Sequence, residues 1–549
     1  MSGVKVQGFG GTAPKVFARM LPTEMAQVAI NTRLDTGRLE GWKNNLSASI
    51  STVASYYVTA NTKTLFKKTI GSADFWFGSN EEVDYVLSPI AEDPWNRLYY
   101  TGSGTYPKMT ASAIWQSGNA YRLGIPAPAA FTTVPALNPT TSANVATEEP
   151  KSVSYIYTYV SQYGEEGPPI SALTANILDK RTDQSVDITF PTVVAPNSVI
   201  SHKRLYRTDA AGTYRRVAEV GGATYNDTKA DSSLGEAINS TTHIAPPDDN
   251  ATDHVSGPML GLTSLPNGIL AGFSGKTICF SEAFLPHAFP TANKLTVRSD
   301  IVGLAPMTNG VLVLTKEKPA MISGLDPRSM SMSEIDSSHS CVSKNSIVDM
   351  GMFVLYASPD GLVRATEQGL ELITESLFTR DQWQALVPST IKAFQYEGQY
   401  VAFYSNGSES KGFIFDPRGG KNAYVKLDFH ATAGFNDLEE DTLYLVVGGS
   451  LVKFASSSTS LAYTWRSKKF YSEKPVNMGA AKVDREGSGS VTFKLFADGA
   501  LKHTQTVANS DMFRLPSGYK STEFEFEVVS AVPINSICLY ETAGEIVSG

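Results

Sequence analysis

VLVLTKEKPAMISG, residues 311–324, reads as an apolar strand, a tight polar turn and a second apolar strand. The same arrangement begins at 269 (ILAGF, then TICFSE), 353 (FVLYAS, then GLVRATEQ), 400 (YVAFY, then GFIFD) and 443 (LYLVV, then LVKF). The five starts lie 42, 42, 47 and 43 residues apart. Short strands recurring at roughly 40–50 residues are the mark of β-propeller blades. One blade cannot cover both faces of its own small sheet, so neighbours must stack radially. Helices do not fit, because the apolar runs are short, rich in Val, Ile, Phe and Tyr, and broken by Gly, Asn and Pro.

Outward from these repeats, the 549-residue chain exceeds one core, and its 44 Gly and 29 Pro suit a turn-rich all-β protein. Four parts are expected: an N-terminal part of the propeller at 1–135, an inserted domain with connectors at 136–257, the main blades at 258–465, and a C-terminal β-sandwich at 466–549. The hairpins at 64–110 (ADFWFGS with VDYVLSPI, then RLYYTGSGTYPKMT) share the grammar of the later repeats. They are expected to complete a ring of about six blades, which would remove its open edges. Pro22 followed by TEMAQ predicts the first turn of a short helix, and VAINTRL followed by DTG predicts a strand, a turn and a second strand. Residues 121–150 form a Pro/Ala/Thr-rich connector. In 378–386, FTRDQWQAL predicts a helical turn with Thr379 as N-cap and Pro388 beyond its end. Beyond Trp465 the period stops. There Phe524, Phe526 and Val528 alternate with Glu523, Glu525 and Glu527, as in a strand wetted on one side. Asp498-Gly499 signals a hairpin.

The net charge of −8 is distributed as +3 over 1–135, −6 over 136–257, −5 over 258–465 and zero beyond. No region is strongly basic, which argues against tight nucleic-acid binding. No apolar run reaches eighteen residues, so no membrane-spanning segment is expected. MSGVKVQGFGG lacks the apolar segment of a secretory signal. Cys279, Cys341 and Cys538 are far apart and form no CxxC pair, so they read as small buried apolar groups.

No residues form a convincing catalytic, cofactor-binding or metal-binding set. Asp248, Asp249, Asn250, Asp253 and His254 offer oxygen ligands, but at no calcium-loop spacing and within a Pro-rich connector. Glu439, Glu440 and Asp441 read as a charged turn. Gly8, Gly10 and Gly11 are not followed by the GK[ST] of a phosphate loop. SPDG at 358–361 reads as a β-turn, since a single copy without a suitably placed Trp does not make a sialidase-type Asp-box. The seven histidines (202, 243, 254, 287, 339, 430, 503) are scattered.

Two resemblances extend this reading. KSVSYIYTYVSQYGEEGPPIS at 151–171, with SHKRLYRTD and TYRRVAEV, resembles a fibronectin type III sandwich. A longer series resembles the tail nozzle (tail tubular) proteins of short-tailed bacteriophages. It comprises LPTEMAQVAINTRLDTGRLEGW (21–42), SPIAEDPWNRLYYTGSGTYPKMT (88–110) with YRLGIPAPA (121–129), the YTYVSQYGEEGPPIS opening, SPDGLVRAT (358–366), LFTRDQWQALVPSTIKAFQYEGQYVAFY (377–404), WRSKKFYSEKPVNMGAAKV (465–483) and FRLPSGYKSTEFEFEV (513–528). That likeness implies a non-enzymatic virion component without cofactors, assembled in the host cytoplasm as a homo-oligomeric, hexameric ring. Its expected partners are head-to-tail adaptor proteins, tail fibres or spikes, and genomic DNA that passes without tight binding. An acidic lining would let DNA slip through. The competing expectations are a glycan-binding or glycan-cleaving propeller and a secreted adhesin.

Overall fold

The structure, a computed structural model, describes residues 3–49, 58–138, 149–170, 177–182, 184–420 and 424–544. Of the connector expected at 121–150, residues 139–148 lie outside the described residues. Strand accounts for 46% of the structure and helix for 6%, so the chain is all-β. None of the described sheets closes on itself. Two compact units divide the chain: Met1–Glu81, Leu314–Pro319 and Ile335–Gly549 form one, and Glu82–Val313 with Ala320–Glu334 form the other. This division cuts across the four parts expected from sequence, because sheets distant in the chain share cores.

All five repeat hairpins are present; four become four-stranded antiparallel sheets, and the one at 400 supplies four neighbouring strands of a larger sheet. In the first unit, the sheet built on Val354–Ala357 and Leu362–Thr366 packs on the one built on Gln399–Ser405 and Ser410–Phe415. They share Leu355, Ala357, Leu362, Tyr400, Ala402 and Phe413. The opposite face of this second sheet, carrying Val401, Phe403 and Ile414, packs on Leu443, Leu445 and Val452 of the 433–453 sheet. Tyr444, Val446 and Leu451 on that sheet's other face meet Leu65 and Trp76. These contacts follow from the strand period of two, which sends alternate side chains to opposite faces. Both faces are apolar, and each is covered by a neighbouring sheet or hairpin.

The 433–453 region supplies only three strands. Its fourth is Leu46–Ser47, paired with Ser450–Lys453 through Ser47↔Val452 and Leu46↔Lys453, so the N-terminal segment covers an otherwise open edge. The early hairpin differs from expectation. ADFWFGS does not pair with VDYVL but with Thr64–Ile70, in seven consecutive pairs across a turn at Gly71. Asp84–Leu87 pairs with Leu98–Thr101 instead.

The C-terminal sandwich is also built differently. Gly3–Gln7 pairs along its length with Ile534–Tyr540, which pairs in turn with Ala480–Arg485. Ala26–Ile30 pairs with Tyr463–Ser467 and, through Ile30↔Lys426, joins the sandwich to the Tyr424–Leu427 strand in one ten-stranded sheet. The assignment of 1–135 to blades is therefore corrected for the strands Gly3–Gln7 and Ala26–Ile30, whose buried Val4, Val6, Ala26 and Ala29, with Phe9, belong to the sandwich core, whereas Ala13, Leu21 and Met25 pack with the repeat sheets at 348–424. Phe9 stands edge-on to Trp465 at 5.1 Å, and the Trp465 indole N–H donates to the Gly10 carbonyl at 3.0 Å.

No helix starts at Pro22. The amides of Gly10 and Ala26 donate to the carbonyls of Glu24 and Gly11, so these backbones bond to each other and only a turn, Met25 N–H to Pro22 O, remains. The expected strand–turn–strand follows, with Thr32–Arg33 paired to Glu40–Gly41. The helix Arg380–Gln384 carries the expected Thr379 cap, extended to a capping box by Gln382. Glutamates 523, 525 and 527 share one face as predicted, yet Glu525 is buried. Lys469, Arg466 and Lys494 pair with the three carboxylates at 2.8, 2.6 and 2.8 Å, so a cationic ladder covers this face.

Asp498 and Gly499 form the expected hairpin turn, both with positive φ (46° and 76°). A Cβ at Gly499 meets no neighbouring atom, so Gly499→Ala isolates the backbone term. It is expected to cost about 1 kcal/mol, read as a lowered urea midpoint with unchanged slope.

In the second unit, the sheet formed by Asp84–Leu87, Leu98–Thr101, Lys108–Thr110 and Tyr121–Arg122 packs through Tyr99 and Met109 on Leu262, Leu270 and Cys279 of the first repeat sheet. The other face of that sheet, with Ala271, Phe273 and Ile278, packs on Val311, Val313 and Ile322 of the second. The inserted domain is a two-sheet sandwich. Thr133–Leu137, Val186–Thr189 and Thr224–Asp227 form one sheet; Ile177–Lys180, Lys151–Ser161, Ile200–Thr208 and Tyr214–Val220 form the other. Tyr155, Tyr157 and Tyr159, placed on one face by their spacing, are all buried in its core. The three cysteines are buried free thiols, as expected.

Candidate functional site

The residues singled out in the sequence fall mostly in structural roles. Ser358 Oγ of SPDG bonds the Gly361 carbonyl and receives the Asp360 and Gly361 amides, closing a turn. Glu440 is more than a surface turn. Its carboxylate accepts from Lys67 at 2.5 Å, Tyr444 at 2.8 Å and Lys453 at 3.2 Å. The Lys67 and Tyr444 hydrogen bonds hold Glu440 down to about 2. Lys67, almost fully buried, also meets Asp437 at 2.7 Å and Asp74 at 3.3 Å, so this cluster pins the 64–79 hairpin to the 433–453 sheet.

The strongest constellation, missed in the sequence, lies in the second unit around YGEEGPP. Two adjacent glutamates follow the buried Lys151–Ser161 strand, and both side chains are buried. Arg97 donates to Asp93 at 2.8 Å and to Glu165 at 2.8 Å; all three residues are at most 8% exposed. Burial alone would raise Asp93, but hydrogen bonds from Arg97 and Ser88 outweigh it and hold the carboxyl below its usual range. Burial pushes Glu165 upward against the pull of Arg97. Trp95 packs edge-on against Tyr163 at 5.6 Å. Glu166 accepts from Thr158 at 2.6 Å, Tyr206 at 2.7 Å and Arg204 at 2.5 Å, and its carbonyl contacts His243 Nδ1 at 3.1 Å. A charged pair set beside a turn glycine and two prolines was the available signal. Charge that close to an apolar strand must be paired if it is buried.

His287 lies at the edge of this joint, its ring 5.6 Å from that of His243. It is buried, and neither ring nitrogen has a hydrogen-bond partner among the described residues. Burial, reinforced by His243 and Arg97, drives it down to about 3. The folded imidazole therefore stays neutral while the unfolded one takes up a proton below about pH 6.5. Stability is full above that pH and falls on acidification toward 3, by about 1.4 kcal/mol per pH unit. Urea unfolding at pH 5 should show a loss of about 2 kcal/mol relative to pH 7, with a shallower slope in His287→Phe.

The acidic connector is organised as well. Arg122 bridges Asp248 at 3.0 Å and Asp249 at 2.8 Å, and Thr105 donates to Asp249 at 2.7 Å. These carboxylates border a cavity of about 220 Å³. Among the described residues, no group of three or more His, Cys, Asp or Glu side chains is placed to hold a metal ion. No described helix is long and apolar enough to cross a membrane.

No protein family matches this sequence, and no curated protein matches it. Among solved structures, KlHsv2 with loop 6CD replaced by a Gly-Ser linker aligns over 61% of this chain and 96% of its own, at 10% identity and a TM-score of 0.24. The extracellular domain of the one-component system protein BT4673 from B. thetaiotaomicron aligns over 94% of this chain and 81% of its own, at 10% identity and a TM-score of 0.28. Neither likeness is close enough to carry an argument about this chain.

Proposed function

We propose that this chain is a structural nozzle protein of a bacteriophage tail. Copies form a ring below the portal and adaptor, the genome leaves through the ring's channel, and fibres or spikes attach to it. The observation that carries this reading is that the segments resembling nozzle proteins meet one another in the fold. AEDPWNR joins YGEEGPP through Arg97 and Glu165, and QVAINTR pairs with WRSKK through Ala29↔Trp465. Segments bound in pairs by buried charge and strand ladders belong to a mechanical frame, as a conduit under pressure requires. On the same reading the stacked repeat sheets close into a propeller of about six blades with an inserted fibronectin-like sandwich. Face-to-face packing of consecutive sheets supports it.

Electron microscopy and mass photometry of the purified chain, alone and with a portal–adaptor ring, test the proposal. Rings docked on the adaptor are expected. Persistent monomers that ignore the adaptor would overturn it, and a strongly positive channel in the assembled ring would overturn the acidic lining.

A further inference from the structure

The cavity beside the acidic connector has a definite chemistry. Its apolar wall comes from Leu123, Pro126, Val194 and Pro196, and its polar side from Arg122, Ser198, Asp248, Asp249 and Asn250. We propose that it binds a single neutral saccharide unit, an inference that goes beyond the virion reading and does not depend on it.

Three features lead there. The walls are fixed before any ligand arrives. Four segments converge on the cavity, and Gly124 (φ +92°) approaches the 245–246 backbone so closely that a Cβ would lie 2.6 Å from that of Ala245. The Arg122 amide donates to the Asn197 carbonyl at 2.8 Å, tying the 194–198 loop to the Tyr121–Arg122 strand. Proline walls and tied loops lose little entropy when a ligand binds.

The second feature is the mixture of hydrogen-bonding groups. The Ser198 hydroxyl is buried without a partner among the described residues. Asp248 and Asp249 each present a carboxylate held by Arg122 at one oxygen and by the Asn250 amide or Thr105 at the other. Each carboxylate oxygen has more than one lone pair, so both carboxylates can accept further hydroxyl protons, while Arg122 offers N–H donors. A polyol supplies donors and acceptors together. An inorganic anion would face two carboxylates against one guanidinium, and a purely apolar ligand would leave these polar groups dry and unpaired.

The third feature is shape and size. About 220 Å³ accommodates one six-membered sugar ring. The C–H face of such a ring can lie on the Pro and Leu wall while its hydroxyls reach the acidic side.

Saturation-transfer-difference NMR on the full chain tests the proposal, with D-glucose, D-galactose, D-mannose and N-acetyl-D-glucosamine as probes. Inorganic phosphate and L-arginine methyl ester are the competing ligands. Saturation transfer to at least one sugar is expected, with affinity on the order of millimolar for so few atoms. It should vanish in Ser198→Phe, which fills the cavity, and weaken about tenfold in Asp249→Asn, which removes a charged acceptor. Melting temperatures near wild type show that both variants fold, and Ser198→Phe alone suffices if Asp249→Asn does not fold. Transfer to none of the four sugars, equal transfer in wild type and Ser198→Phe, or displacement of the sugar by phosphate or the arginine ester at lower concentration would each overturn the proposal.

Discussion

Arg97→Met is expected to lower the unfolding free energy of the second unit by about 3–5 kcal/mol, because it leaves the buried Asp93 and Glu165 carboxylates without their cation. The methionine fills most of the arginine stem's volume, so little of the loss comes from a cavity. The pair's attraction is not the whole effect; most of it is the cost of two stranded acids. The triple variant Arg97→Met, Asp93→Asn, Glu165→Gln should therefore recover a large part of the loss despite carrying more substitutions. Urea denaturation followed by Trp fluorescence measures both, with Trp95 packed beside the joint. A single variant within about 1 kcal/mol of wild type would show that the joint is wetted and that its charges are already solvated.

The second large effect is expected from removing residues 1–11. That deletion takes Val4, Val6 and Phe9 out of the sandwich core and strips Ile534–Tyr540 of one of its two partner strands. Losing Phe9 alone is worth about 3–5 kcal/mol, since its ring stands against Trp465. The exposed strand edge then favours pairing between molecules. Aggregation on mild heating is expected, together with blue-shifted Trp465 emission lost at lower urea. A synthetic peptide of residues 1–11 added in trans should restore the transition toward that of the intact chain, because strand addition needs only the free edge. Unchanged unfolding after the deletion would mean that the strand decorates the core rather than completing it.

The sequence showed what is local and periodic. Strands such as 311–315 and 400–405 announce themselves because one face after another is apolar, and a tight turn follows. The Thr379 cap and the Asp498-Gly499 turn were likewise visible, since each depends on the conformational preference of a few adjacent residues. What it hid is non-local. Leu46–Ser47 is a two-residue exposed strand whose existence depends on an edge about 400 residues later in the chain. ADFWFGS has the grammar of a strand but no mark of its partner, Thr64–Ile70, which carries Lys67 and Lys68 inside it. Lys67 is tolerated there because three carboxylates surround it.

The buried joint was hidden for the same reason. Nothing in the sequence near Glu165 and Glu166 names Arg97 or Arg204 as their counter-charges. Pro22 misled because an N-terminal proline signal was read without knowing that residues 24–26 bond to the backbone at 10–12. The acidic connector reads as a Pro-rich linker, and only the fold shows that Arg122 gathers Asp248 and Asp249 beside a cavity.

The pairing of Gly3–Gln7 with Ile534–Tyr540 has a consequence for biosynthesis. That strand must wait for its ladder partner, more than 500 residues downstream, before it can settle. Until that partner is made, the strand is unpaired and its Val4 and Val6 lack their core. A prematurely terminated product would keep it exposed, so incomplete chains are marked for chaperones and proteases by their own unfinished sandwich.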